Sequence, residues 1–245
     1  MSSRDQIRSM GSWASSRAWS RAGAIAQVLA TGRSRRVAAR TTQVVLFTIG
    51  SLLIASAVAV MLWNQIGPGP LDVFIGAVKS RTGLPLTFAV WLTIAMMLAV
   101  AWALGRRPGA GSIIGPIVVG PVMQVTLEHL QVYEPPSSLA LGVVVHVAAV
   151  LVVGIGAGAL IVSGLGAGSG ELLAAAASDR SGHPEPRVRF AFEATWVVLG
   201  VALGGPIGVG TVIVALLIGP AVAFGSRTVE SLVTVSRRQL DLATA

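Results

Sequence analysis

Six apolar stretches of this sequence approach or exceed the roughly 20 residues that a helix needs to cross a hydrocarbon core. They are Gln43–Trp63, Leu86–Leu104, Gly109–Leu127, Leu139–Leu165, Phe190–Gly204 and Ile207–Gly225. Glu193 is the one acid within them, and they contain no Lys or Arg. A chain with so much uninterrupted apolar length buries it in lipid or aggregates. The composition agrees: 53% of the residues are hydrophobic and 11% charged, where a soluble domain carries about 25% charged. A soluble enzyme of ordinary surface and a disordered chain are both excluded. The absence of Cys excludes disulfides and thiolate metal or redox sites.

The net charge of +8 is unevenly placed. Arg4, Arg8, Arg17, Arg21, Arg33, Arg35, Arg36 and Arg40 all precede the first apolar stretch. A basic arm beside a membrane span reads as a segment held by anionic lipid headgroups. No folded basic module accompanies it, so nucleic acid is not an expected partner. The bilayer itself is the main one.

Two segments are too short to span, at about 10 residues each. Pro70–Lys79 follows Gly67-Pro-Gly-Pro70, and Ser169–Ser178 follows the Gly-rich run 164–170. They mark an internal repeat. Shifting the chain by 99 residues places Gly67 and Gly69 on Gly166 and Gly168, and Asp72 on Glu171. Arg81-Thr-Gly83 falls on Arg180-Ser-Gly182, Pro85 on Pro184, and Gly105 on Gly204. Gly109 and Gly111 fall on Gly208 and Gly210, and Gly120-Pro121 on Gly219-Pro220. No gap is needed, and the matching Arg, Pro and acid go beyond what glycine richness produces.

Each copy then holds one long helix, a short Gly-Pro segment and two more long helices. If the short segment does not cross, each copy crosses three times, and the second copy starts on the opposite face. Inverted repeats with short or broken helices at matching positions are a signature of secondary transporters. The expected fold is all-α: a polytopic membrane bundle of about six spans with two short re-entrant helices, built by tandem inverted duplication. The expected segments are a basic, mostly disordered arm over 1–42, membrane repeats over 43–138 and 139–227, and a polar tail over 228–245. An eight-span alternative leaves as many basic residues on the wrong face, so charge bias does not separate the two. Both place the termini in the cytoplasm.

The Gly-x-Gly-Pro-x-Asp turn at Gly67–Asp72, the following Thr82-Gly83 and the later Pro108-Gly-x-Gly-Ser112 resemble the YczE-like and YitT-like bacterial integral membrane proteins. The resemblance covers about residues 43–227. It implies a multi-pass protein of bacterial inner-membrane type and supplies neither a substrate nor catalytic residues. In the second copy Pro70 becomes Ser169 and Asp72 becomes Glu171.

Candidate site residues follow from the breaks. Asp72 and Glu171 sit near the starts of the short helices, where an acid stabilises the helix dipole or, as a pair at the repeat interface, binds a cation or relays a proton. Arg81 and Arg180 anchor at the interface, or offer contacts to an anionic solute. Glu193 either pairs with Arg189 at i−4 or is a buried functional acid. Gly67, Gly69, Gly109, Gly111, Gly166, Gly168, Gly208 and Gly210 allow close backbone approach. His146, inside the fourth stretch, reads as an interhelical hydrogen-bonding group. Gly154 with Gly158, and Gly200, Gly204 and Gly208, have four-residue spacings that let helices pack tightly. Pro116, Pro121 and Pro220 read as kinks.

No metal-ligand spacing, cofactor fingerprint or clustered nucleophile and base is present. The expectation is no enzyme, no catalytic residues, no metal and no cofactor. The leading functional expectation is a transporter-like protein for a small solute or ion. The alternative is an accessory or regulatory subunit that holds a partner protein without transport.

Overall fold

The computed structural model describes residues 40–166 and 168–243. Residues 1–42 and 43–245 form separate units, and the second is described below. The arm expected over 1–42, with its lipid-headgroup contacts, lies outside the described residues except for its last three.

The described residues form eight α-helices: α1 Arg40–Trp63, α2 Pro70–Thr82, α3 Leu86–Ala103, α4 Ala110–Leu130, α5 Leu139–Ser163, α6 Ser169–Ser181, α7 Glu185–Ala202 and α8 Val209–Ala243. Five of them (α1, α3, α4, α5 and the apolar part of α8) are long and apolar enough to cross a membrane. Their apolar side chains face outward as well as inward. On α3, Phe88, Leu92, Met96 and Val100 form an exposed stripe at four-residue steps. A helix that is apolar all round suits a lipid surround. The protein is a helical membrane bundle.

The fifth expected span, Phe190–Gly204, is different. α7 has the length of α3, 18 residues, but begins at Glu185 instead of Phe190, and its first half carries Glu185, Arg187, Arg189 and Glu193. It is too charged to count among the apolar spans. The polar tail expected over 228–245 is not a separate element either, because α8 runs unbroken through it to Ala243. The proline kinks do not end helices: α4 is continuous through Pro116 and Pro121, and α8 through Pro220.

Elements 99 residues apart coincide in detail. α2 and α6 are each 13 residues long. Each starts after an extended glycine (Gly69, Gly168) and stops at a left-handed glycine with φ 70° and ψ 7° (Gly83, Gly182). Packing crosses between the halves: α2 lies against α7, and α6 against α3. Within the second half, α5 packs along α8 through small residues. Gly154 lies on the Ala221 backbone and Gly158 on Gly225, so backbones approach where side chains would hold them apart. The four-residue series Gly200, Gly204, Gly208 is not one helix face, since α7 ends at Ala202. Gly200 alone packs on a helix there, against Val73 and Phe74 of α2.

Two backbone crossings tie the halves together. The turn before α2 crosses the start of α8, where the Gly210 N–H donates to the Ile66 carbonyl at 2.8 Å. The turn before α6 crosses the start of α4, where the Gly111 N–H donates to the Leu165 carbonyl at 2.9 Å. These are the same bond at the 99-residue offset, made in exchange. Both supply partners to N–H groups that a helix start leaves unsatisfied.

A candidate binding cavity between the short helices

A cavity of about 300 Å³ lies among the helices, with the first turns of α2 and α6 both in its wall. Glycines shape both crossings, and the crossing of Gly111 and Gly166 borders the cavity. Gly67 and Gly166 have φ of +121° and +146°, which side chains on L-residues rarely tolerate. A β-carbon at Gly67 would also lie 2.7 Å from the Gly208 Cα. Gly208 abuts the Ile66 carbonyl and Gly210 the Gly67 carbonyl, while Gly111 lies 2.9 Å, measured from its β-carbon position, from the Leu165 oxygen. Gly109 is looser, with its nearest neighbours at 3.6 Å.

Asp72 and Glu171 each occupy the third position of their helix and turn back over the preceding glycine, Gly69 and Gly168 respectively. A side chain at either glycine would displace the carboxylate. The helix dipole favours an anion there, and both carboxylates line the cavity. Their partners differ. Glu171 accepts from Arg189 Nη1 at 3.1 Å, and Arg189 Nε lies 3.9 Å from Glu193. Asp72 has no ion-pair or hydrogen-bond partner among the described residues. α2 is too short to cross a membrane. Burial first, and the nearby Glu193 charge second, push the Asp72 carboxyl up to about 7.

The remaining wall is mostly aliphatic, with Phe47, Phe192 and Trp196 as its aromatic members. Ser51 is fully buried on this wall, and its Oγ has no hydrogen-bond partner. Among the described residues, no three His, Asp or Glu side chains are grouped so as to hold a metal ion.

Arg81 and Arg180 do not reach this cavity. They sit in the last turns of α2 and α6, both exposed. Arg81 Nε donates to the Leu203 carbonyl at 2.9 Å and caps the end of α7. The offer of anion contacts at the breaks is therefore corrected: nine residues of helix, about 13 Å, separate each Arg from its acid. The cation present in the cavity is Arg189, whose link to Glu171 bridges two helices and leaves no sequence spacing to read. The expected i−4 pairing of Glu193 with Arg189 is present, at the longer distance.

His146 lies outside the cavity wall, fully buried at the other crossing. Its Nδ1 is 3.4 Å from Asn64 Nδ2, which also donates to the Gly142 carbonyl at 2.7 Å. Nε2 faces the Gly210 backbone without a hydrogen bond of ordinary geometry.

Residues 41–227 match a family described as a family of unknown function, DUF6198. The chain belongs to this family. The DUF6198 match begins with α1 and ends within α8, so it takes in both short helices, both crossings and the whole cavity. The chain is also similar to an uncharacterised protein of Haemophilus influenzae, at 25% identity over 185 residues, covering 76% of this chain and 83% of that one. No solved structure matches it.

Proposed function

We propose that this DUF6198 protein moves a small solute or ion across a membrane, with the cavity between α2 and α6 as its binding site. One observation carries the reading: two matched short helices, each with a carboxylate in its first turn, meet at one cavity among the helices of a membrane bundle. Short helices at corresponding positions of two halves mark the substrate site in many secondary transporters. We read the 99-residue correspondence as a tandem inverted duplication, with three crossings per half and α7 as the counterpart of α3. Of the segments that carry the likeness to YczE-like and YitT-like proteins, Leu71, Asp72, Gly111 and Ser112 line the same cavity, and we take that likeness as distant kinship. On this reading the protein sits in a bacterial inner membrane with both termini in the cytoplasm.

The mechanism is a rocking of one half against the other. α2 packs on α7 and α6 on α3, so each half's short helix rides on the other half. Relative motion then changes the cavity's walls and its access. Asp72, Glu171 and Glu193 bind the positive group or proton, and Arg189 holds Glu171 and Glu193 in place.

Proteoliposomes challenged with a panel of small organic cations, anions and neutral solutes test this. Saturable uptake of at least one member, lost in Asp72→Asn combined with Glu171→Gln, is expected. Uptake that survives both substitutions, or no uptake of any member, contradicts it.

A second reading rests on α8, which continues to Ala243 beyond its apolar part, Val209–Val235, and has Leu232 and Val235 exposed at the end of that part. A long helix with an exposed apolar edge beside a polar end suits an accessory subunit that holds a partner protein. Stoichiometric co-purification in mild detergent, abolished by Leu232→Glu with Val235→Glu, supports that role.

A further inference from the structure

Three features of the cavity constrain what it takes. Its charge is the first. Asp72, Glu171 and Glu193 face a single guanidinium, Arg189, so the fully ionised wall carries two negative charges in excess. Unpaired charge in a desolvated site is costly and is relieved by a counter-charge. Arg189 is committed to Glu171 and Glu193, which leaves Asp72 as the carboxylate awaiting a cation.

Size and surface are the second. A volume of about 300 Å³ is roughly ten times the share of one water in the liquid, about 30 Å³. A bare inorganic ion leaves most of it empty against aliphatic walls, and the carboxylates are not grouped as metal ligands among the described residues. An apolar body fills it. Phe47, Phe192 and Trp196 add ring faces, to which organic cations are attracted.

Ser51 is the third feature, and it is independent of the acids. Its hydroxyl is fully buried on the cavity wall with no partner. A buried polar atom left unpaired costs about 1–3 kcal/mol. A turn of the Ser51 side chain toward the cavity brings the hydroxyl to a ligand N–H or O–H there, and that bond removes the cost. At the matching position of the second half stands Val150, so the hydroxyl is not demanded by the backbone architecture.

We infer that the cavity binds a small organic cation, a primary or secondary ammonium on an apolar body, with the ammonium at Asp72 and the body against the aliphatic and aromatic wall. This deepens the carrier reading and rests on it for what the bound molecule does next. The ammonium donates to the Asp72 carboxylate, and its remaining N–H groups supply what Ser51 Oγ lacks. The carboxylates, in excess of the one guanidinium, oppose an anion of the same shape. A carboxyl held near 7 in the empty cavity gives up its proton when a cation enters.

The test is a charge series on one body. Purified full-length protein in lipid nanodiscs is titrated calorimetrically with 2-phenylethylammonium, 2-phenylethanol and 3-phenylpropanoate, with empty nanodiscs subtracted. The ammonium is expected to bind saturably and at least about tenfold more tightly than the other two, as one charge-assisted hydrogen bond provides. Asp72→Asn is expected to weaken it about tenfold and Ser51→Ala about threefold to fivefold. Equal or tighter binding of the alcohol or the carboxylate overturns the inference, as does ammonium binding unchanged by both substitutions. Should Asp72→Asn fail to fold, the wild-type series and Ser51→Ala decide alone. Ammonium binding without flux in proteoliposomes overturns the carrier reading and supports this site. Uptake of an anion without ammonium binding overturns this site and leaves the carrier reading standing.

Discussion

The first turns of α2 and α6 share one backbone plan and carry different chemistry. Both follow an extended glycine, both hold a carboxylate at the third position, and both line one cavity. Glu171 has Arg189 and Glu193 beside it. At the positions matching those two residues, the first half has Val90 and Ile94, and Asp72 stands without an ion partner among the described residues. The crossings diverge likewise. Phe47 fills the space beside Gly111, and its counterpart His146 lies beside Gly210 with Asn64, whose own counterpart is Ser163. Backbone geometry is thus repeated where the chain must cross itself, and side chains differ where one half's cavity face is charged and the other's is open.

The sharpest way to break this comparison is at the turns. Gly67→Val places a branched side chain at φ +121° against the Gly208 backbone. It is expected to cost roughly 3–5 kcal/mol and to abolish monodisperse protein in size-exclusion chromatography. At Gly166 the nearest atoms to a β-carbon are 3.3 Å away. Gly166→Val should therefore be milder and leave some folded protein. Equal severity would mean the two crossings are equally tight.

Next in size is Arg189→Gln, which strands Glu171 and Glu193 together. The pair is about one-third exposed, so a loss of about 1–2 kcal/mol is expected, below that for a fully buried pair. Thermal unfolding in mild detergent reads it. Adding Glu193→Gln should recover part of the loss, and no recovery would show that the two carboxylates do not repel.

Asp72→Asn probes the other half through pH. The folded-state value, about 7 against an ordinary 3.8, means that the folded protein holds this proton more tightly than the unfolded chain. Its stabilising contribution is fully present below 3.8 and is lost as pH rises through about 7. The variant lacks that loss, so its melting temperature should gain on the wild type from about pH 4 to pH 7 and hold level above. A parallel pair of profiles would place Asp72 in water.

The smallest effect is expected for His146→Phe, which gives the Gly210 crossing the residue found at the Gly111 crossing. It removes a buried Nε2 without a partner and adds modest volume, so stability should change by less than about 1 kcal/mol. A loss above about 2 kcal/mol would mean that the imidazole holds the crossing through Asn64.

Much of the fold was legible because glycine and proline punctuate it. The starts of α2 and α6 and the 99-residue correspondence follow from residues that dictate backbone angles, whereas both helices run three residues past the expected ends, Lys79 and Ser178, to the left-handed glycines Gly83 and Gly182. The start of α7 was hidden because its first turns are charged and interrupt the apolar run, although Pro186 suits a helix start. The extent of α8 was hidden for the opposite reason: its polar end has helix-forming residues and no breaker. At the site, Asp72 and Glu171 were readable from their place after the glycines. Arg189 as partner of Glu171 was not, since the contact joins two helices. Arg81 and Arg180 misled because closeness in sequence to a break places a residue at the far end of a 13-residue helix.

The central claim, two halves inverted about a shared cavity, is most directly tested by accessibility. The chain has no Cys, so Ser80→Cys and Asp179→Cys, 99 residues apart, can each be labelled alone with a membrane-impermeant maleimide on intact and on opened cells. The account predicts that one position labels from outside and the other only after opening. Labelling of both from the same side would contradict it.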